Sequence, residues 1–195
     1  MKAYKAFNKD LTCRGYQFDE HIINITDKAN CVRNGFHCAE NPLDCLKYYP
    51  DWNSSVYYIV NAGGDIDEDG IDSKISCTEL TLIKKLDVSG FIWECLEYMY
   101  KHPSRKCGRV YRERADISEG FAIVRGKKPI VKGRSGTVFG IAKEYNLSSE
   151  IFLANIIVID GKNFLHDVWY DITGSTVDFE DVTESTVNSE SEGDI

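Results

Sequence analysis

The chain predicts an α+β fold: a β-rich first half that carries two helices, followed by a smaller, mostly-β unit. Three features point there. Segments of β-branched and aromatic residues, bounded by turn residues, recur along most of the length. Two stretches instead show helix-start signals or helical spacing. A polar, basic stretch without a sustained period separates the two halves. With 195 residues, 43% of them hydrophobic, there is enough material for one sizeable core or two small ones.

Lys2 to Phe7 reads as a strand, followed by a turn at Asn8, Lys9 and Asp10 and by the segment Tyr16 to Ile25. In AENPLDCLKYYP, Asn41 is placed to cap a short helix, Pro42 to fill its first position and Asp44 to meet the positive end of its dipole; Pro50 closes it. SSVYYIVNAGG and KISCTELTLIKK read as strands joined through the acidic turn DIDEDGIDS. Asp87 then starts an amphipathic helix, in which Val88, Phe91, Ile92, Cys95 and Met99 recur at helical spacing, and Pro103 ends it. Residues 1–102 thus form an α+β domain and 103–118 a basic linker. FAIV, PIV, TVFGIAKEY, IFLANIIVID and FLHDVWYDI make residues 119–177 a mostly-β unit, with a hairpin signal at Asp160-Gly161. Residues 178–195 are acidic and low in large apolar side chains, the composition of a disordered tail.

No apolar run reaches the roughly 18 residues of a membrane span, and the start has no apolar signal region, so a cytoplasmic, non-secreted protein without a membrane partner is expected. Seven cysteines, an odd number, then read as reduced thiols packed as small hydrophobes. The net charge of −8 argues against indiscriminate nucleic-acid binding. It conceals a basic strip, Lys101 to Arg134, whose residues Arg125, Lys127, Lys128, Lys132 and Arg134 are a candidate anion-binding surface. Tyr111 and Phe121 nearby could stack on bases. The acidic tail is an alternative, internal counter-charge for the same strip.

Three stretches, MKAYKAFNKDLTCRGYQF, GFHCAENPLDCLKYYP, and GRSGTVFGIAKEY with IDGKNFLHDVWYDI, resemble a family of phage, prophage and large-virus proteins that is itself a domain of unknown function. The resemblance implies a viral context and a fold, and no assigned reaction. Many members carry a run of short Gly/Ala/Ser-rich repeats that looks like a β-solenoid, ended by a cap like TVFGIAKEY through DVWYDI. Here only ISEGFAIVRGKKPIVKGRSG stands in place of the repeats, so the C-terminal unit is expected to be solenoid-cap-like without a long array.

Helix-start chemistry accounts for Asn41, Pro42 and Asp44, which leaves His37 and Glu40 as the unexplained polar residues of that motif. An analogy to ADP-ribosyltransferase-like folds would add Arg14 as an early cation, Tyr48 or Tyr49 after the helix, and Glu144 as the late-strand carboxylate. Asp65, Asp67, Asp69 and Gly70 match the first half of a calcium loop, but position twelve is Ser76 where a bidentate Glu is needed. Cys13, Cys31, His37, Cys38 and Cys45 contain no CxxC pair, and the basic RGKKPIVKGRSG lacks P-loop spacing, so neither a metal nor a cofactor is expected. The favoured function is a non-enzymatic accessory protein that binds an unknown host or viral partner. The alternatives are an ADP-ribosyltransferase-like or other nucleotide-handling enzyme centred on His37, and nucleic-acid or anionic-partner binding through residues 101–134. Convergence of His37, Glu40 and Arg14 on one concave pocket would discriminate between them.

Overall fold

Alternation along β1 (Lys2–Asn8) sets the architecture of the first unit. Ala3, Lys5 and Phe7 share one face and Tyr4 and Ala6 the other, and all five are buried, so this strand is covered on both sides. The computed structural model describes residues 1–178 apart from Val32, Asp69 and Ile71, in two units, Met1–Tyr98 and Met99–Ile195.

In the first unit β1 pairs antiparallel along its whole length with β6 (Ser55–Glu68), from Lys2 opposite Asn61 to Asn8 opposite Ser55. Its other edge meets β5 (Phe36–Ala39) at Tyr4 and Ala39. β6 continues into β7 (Lys74–Leu86), and β7 pairs with β5 from Phe36 opposite Cys77 to Ala39 opposite Lys74. The pairs β1–β6, β6–β7, β7–β5 and β5–β1 therefore close on themselves. Such closure needs strongly coiled strands, and the β6–β7 ladder shifts register twice, between Ile59 and Val60 and between Gly63 and Ile66. At the second shift Gly64 adopts φ +66° against Thr78, where a side chain would collide with the Thr78 hydroxyl.

Smaller elements fill in the ends. β2 (Thr12–Cys13) and β3 (Tyr16–Gln17) form a small hairpin turned by Arg14 and Gly15, both at positive φ as a two-residue hairpin of the primed type requires. β4 (Asn24–Ile25) pairs with β7 opposite Leu80 and Glu79. Phe7, Phe18, Phe36, Val60, Ile75, Cys77 and Leu80 belong to one buried cluster, whose rings meet edge to face, Phe18 standing 4.9 Å from both Phe7 and Phe36.

Both helices start as their sequences require. In α1 (Pro42–Cys45) the Asn41 side chain accepts from the Leu43 amide at 3.1 Å. In α2 (Val88–Lys101) the Asp87 carboxylate accepts from the Gly90 amide at 2.7 Å. Tyr4, on the opposite face of β1 from Lys5, donates to Glu94 of α2 at 2.5 Å, and Lys2 donates to the same carboxylate at 2.6 Å. Phe91 of α2 packs on Tyr57 and Trp52.

In the second unit β8 (Val110–Ile117) pairs in parallel with β9 (Phe121–Gly133), and β9 in parallel with β10 (Val138–Glu144). Val110 stands beside Ile123 and Phe121 beside Val138, 13 and 17 positions along the chain. β11 (Ile151–Val158) returns antiparallel to β10, and β12 (Tyr170–Asp171) lies antiparallel on β9. Val124, Val131, Phe139, Ile141, Ile157 and Ile159 form the core.

Three expectations are corrected. Residues 110–117, read as part of the linker 103–118, form β8; this outer strand is largely exposed, so its sequence shows polar residues instead of an alternating pattern. FAIV and PIV are one strand, β9. The Asp160-Gly161 signal does not make a hairpin between two strands, because the Asp160 carboxylate instead gathers the amides of Lys162, Asn163 and Phe164 into a local turn. The acidic tail 178–195 lies outside the described residues except for Asp178.

β8 and β9 turn a shared corner. Glu113, at φ 62°, accepts from the backbone amides of Lys127 and Lys128 at 2.9 and 3.0 Å. A Cβ on Gly126 would stand 2.3 Å from that carboxylate. Gly126→Ala is therefore expected to lower unfolding free energy by about 1–3 kcal/mol in urea titration. Gly108→Ala, whose Cβ would enter open space, should change it by less than about 0.5 kcal/mol.

Candidate functional site

Strand phase alone puts Lys5 where an apolar residue is expected, on the face of β1 shared with Ala3 and Phe7. The residue is only 4% exposed. Its ammonium donates to the His37 carbonyl at 2.8 Å and to the Cys13 sulfur at 3.5 Å, and it lies 5.1 and 5.3 Å from the ring centres of Phe7 and Phe18. Among the described residues no carboxylate lies within ion-pairing distance of it. A carbonyl and two π-faces soften the loss of water, but a buried cation without a counter-charge remains costly.

Beside Lys5 opens a cavity of about 480 Å³, into which Arg14, His37 and Lys74 also project. Each is placed by local folding. Arg14 is at the tip of the β2–β3 turn and exposed; Lys74 opens β7, opposite Ala39; His37 is the half-buried second residue of β5. Burial, and then the charges of Arg14, Lys5 and Lys74, push the His37 imidazole down to about 4, so it is neutral at neutral pH. Asp44 supplies a carboxylate to the lining, but it is committed elsewhere. It accepts from the Ser73 hydroxyl at 2.6 Å and pairs with Lys47 at 2.9 Å, which ties α1 to the start of β7. The lining therefore carries more positive than negative charge.

Of the residues singled out in the sequence, Arg14 and His37 converge on this cavity, with Tyr48 and Tyr49. Glu40 does not line it; its amide donates to the Ser73 carbonyl. Glu144 belongs to the second unit, where it is a structural hub. Its carboxylate receives Arg112 at 2.7 and 2.8 Å and Arg125 at 2.5 Å, with Lys127 at 3.6 Å. The Arg112 guanidinium, assisted by Arg125, holds it down at about 2.

The same contacts change the meaning of the basic strip. Arg125 also donates to the carbonyls of Pro103 and Ser149, Lys127 to those of Tyr145 and Ser148, and Lys132 pairs with Asp116 at 2.7 Å. Lys128 and Arg134 are exposed. Asp65 and Asp67 lie within β6, where Asp67 accepts from the Cys31 amide at 2.6 Å, and Asp69 is outside the described residues. Among the described residues no three His, Cys, Asp or Glu side chains are placed to share a metal ion. The seven cysteines are thiols, four of them buried.

Cys13, Cys38 and Cys45, weighed in the sequence for zinc, also line the cavity, and sequence reading missed Lys5, Lys74 and Tyr16. For Lys5 the signal was present: a lysine in phase with Ala3 and Phe7 in a strand buried on both faces.

A family described as a domain of unknown function, DUF7666, matches residues 1–94, nearly the whole of the first unit. No curated protein and no solved structure matches the chain.

The ionisation of His37 at the cavity and of Glu144 in the second unit has measurable consequences. His37 should titrate near pH 4 by NMR, and Arg14→Gln should move it upward by removing a repelling charge. Because its folded value lies below the ordinary 6.5, its contribution to stability is complete above 6.5 and fades as pH falls towards 4. Glu144 should contribute stability that is present above its ordinary 4.5 and lost as pH falls towards 2. Glu144→Gln, which leaves buried Arg125 without its counter-charge, should cost about 3 kcal/mol in denaturant titration at pH 7.

Proposed function

We propose that the first unit is a binding module for a small anion of the phosphate class, and that the protein is a non-enzymatic accessory factor. The observation that carries this is the buried, uncompensated ammonium of Lys5 in the wall of a cavity whose other polar groups include Arg14, Lys74 and a neutral imidazole. An arriving dianion would supply the missing counter-charge to an ammonium already desolvated, where electrostatic attraction is strong.

Catalysis has less support. An imidazole that protonates only near pH 4 is a poor base at neutral pH, Asp44 is held by Ser73 and Lys47, Glu40 is outside the lining, and Glu144 is neutralised by three cations in the other unit. The ADP-ribosyltransferase-like alternative thus loses the carboxylate it needs. Binding through the basic strip is likewise weakened by the internal bonds of Arg125, Lys127 and Lys132.

The wider setting is part of the same proposal. The resemblance of the N-terminal motifs to phage and large-virus proteins supports a role during infection, in the reducing cytoplasm of a host cell, with a host or viral partner. The parallel pairing of β8, β9 and β10 at offsets of 13 and 17 supports a solenoid-cap-like second unit.

Calorimetry at pH 7 and low salt should show inorganic phosphate binding at millimolar or lower concentration, and phosphate should slow iodoacetamide alkylation of Cys13, which lines the cavity. Lys5→Met should raise the melting temperature without phosphate, since an apolar isostere relieves the buried charge, and should abolish the phosphate-induced shift. Absence of binding by the native chain, or unchanged binding by Lys5→Met, would sink the proposal.

A further inference from the structure

Resting on the phosphate-binding reading, we infer that the ligand carries a planar ring beside its phosphate, which makes it a nucleoside monophosphate. The first ground is volume. A phosphate ion, a few times the roughly 30 Å³ share of a water molecule, leaves most of the 480 Å³ cavity unfilled.

The second ground is the aromatic lining. Tyr16 is 37% exposed and lines the cavity, yet its ring is pinned edge to face against Phe18 at 4.7 Å and Phe36 at 4.8 Å. Both are buried members of the core. An exposed ring already fixed in place loses little freedom when another ring stacks on it, which is the property of a preorganised stacking platform. Tyr48, also in the lining and 56% exposed, is similarly held: its hydroxyl accepts from Lys74 at 3.1 Å.

The third ground is the pairing of charge with ring. Arg14 precedes Tyr16 by two residues on the β2–β3 hairpin, and Lys74 is bonded to Tyr48, its ammonium 5.4 Å from the ring centre. A phosphate held by Arg14 or Lys74 places whatever it is esterified to within reach of a tyrosine ring. A sugar alone would gain little from these π-faces, whereas a nucleobase would gain a stack.

The test compares adenosine 5′-monophosphate, ribose 5-phosphate and inorganic phosphate by calorimetry with the full chain. Adenosine 5′-monophosphate should bind about tenfold or more tightly than ribose 5-phosphate, the scale of one base–aromatic stack. Tyr16→Leu or Tyr48→Leu should erase that advantage while ribose 5-phosphate affinity stays as it was, and Arg14→Gln should weaken both ligands. Equal affinity of the two esters, or an advantage that survives both tyrosine substitutions, overturns the ring inference and leaves phosphate binding standing. If no phosphate compound binds at millimolar concentration, both readings fall together.

Discussion

The first unit is organised around one electrostatic constraint, a lysine ammonium placed by strand phase inside an apolar wall. Lys5 shares its face of β1 with Ala3 and Phe7, and because Tyr4 and Ala6 on the other face are buried too, slipping the register by one residue would not bring the ammonium to water. The full-length ladder with β6 and the closing contact with β5 hold that register from both edges. What the fold stabilises, then, is a charge in a place where water is largely excluded. The carbonyl of His37, the sulfur of Cys13 and the faces of Phe7 and Phe18 make the position tolerable without neutralising it.

The second unit contains the complementary case. Glu144 is as deeply buried as Lys5, but successive parallel strands deliver Arg112 and Arg125 to it, with Arg112 and Arg125 adjacent in the β8–β9 register. Surplus positive charge there is absorbed by the carbonyls of Pro103, Tyr145, Ser148 and Ser149. Such a network is saturated: nearly every donor has its acceptor, and its energy goes into holding β8, β9 and β10 together. A saturated network supports structure, whereas an unsaturated one supports recognition, because only the latter has interaction energy left for a ligand.

This contrast explains what could be read from the residues and what could not. Helix starts were legible because capping is local: Asn41, Pro42 and Asp87 do their work within three residues. The β6–β7 hairpin was legible because its strands are consecutive. The closed circuit was not, since the β5–β1 contact depends on a pairing between Tyr4 and Ala39 that no local pattern encodes. β8 was lost because an exposed outer strand satisfies its backbone through β9 without burying alternate side chains. At the site, Arg14 and His37 were found as isolated polar residues in distinctive motifs, while Glu144 was misplaced by position along the chain. Its three cationic partners come from two other strands and become visible only when the register is known.

Lys5 shows why a violation of pattern carries more functional information than conformity to it. Asn41 and Asp44 look like site residues because they are polar and clustered, but each is explained by the helix it begins or anchors. Lys5 looks like an ordinary surface lysine until strand phase is imposed, and then nothing local explains it. A methionine at that position would fill the wall without a desolvation cost, so retaining an ammonium there lowers the stability of the unliganded fold. Arg14 and Lys74 add charge of the same sign to the same cavity, where burial first and then these charges keep the His37 imidazole neutral. In the proposed binding of an anion, the cost of keeping the Lys5 ammonium buried without a counter-charge is what the ligand would relieve, and that relief would be the source of the affinity.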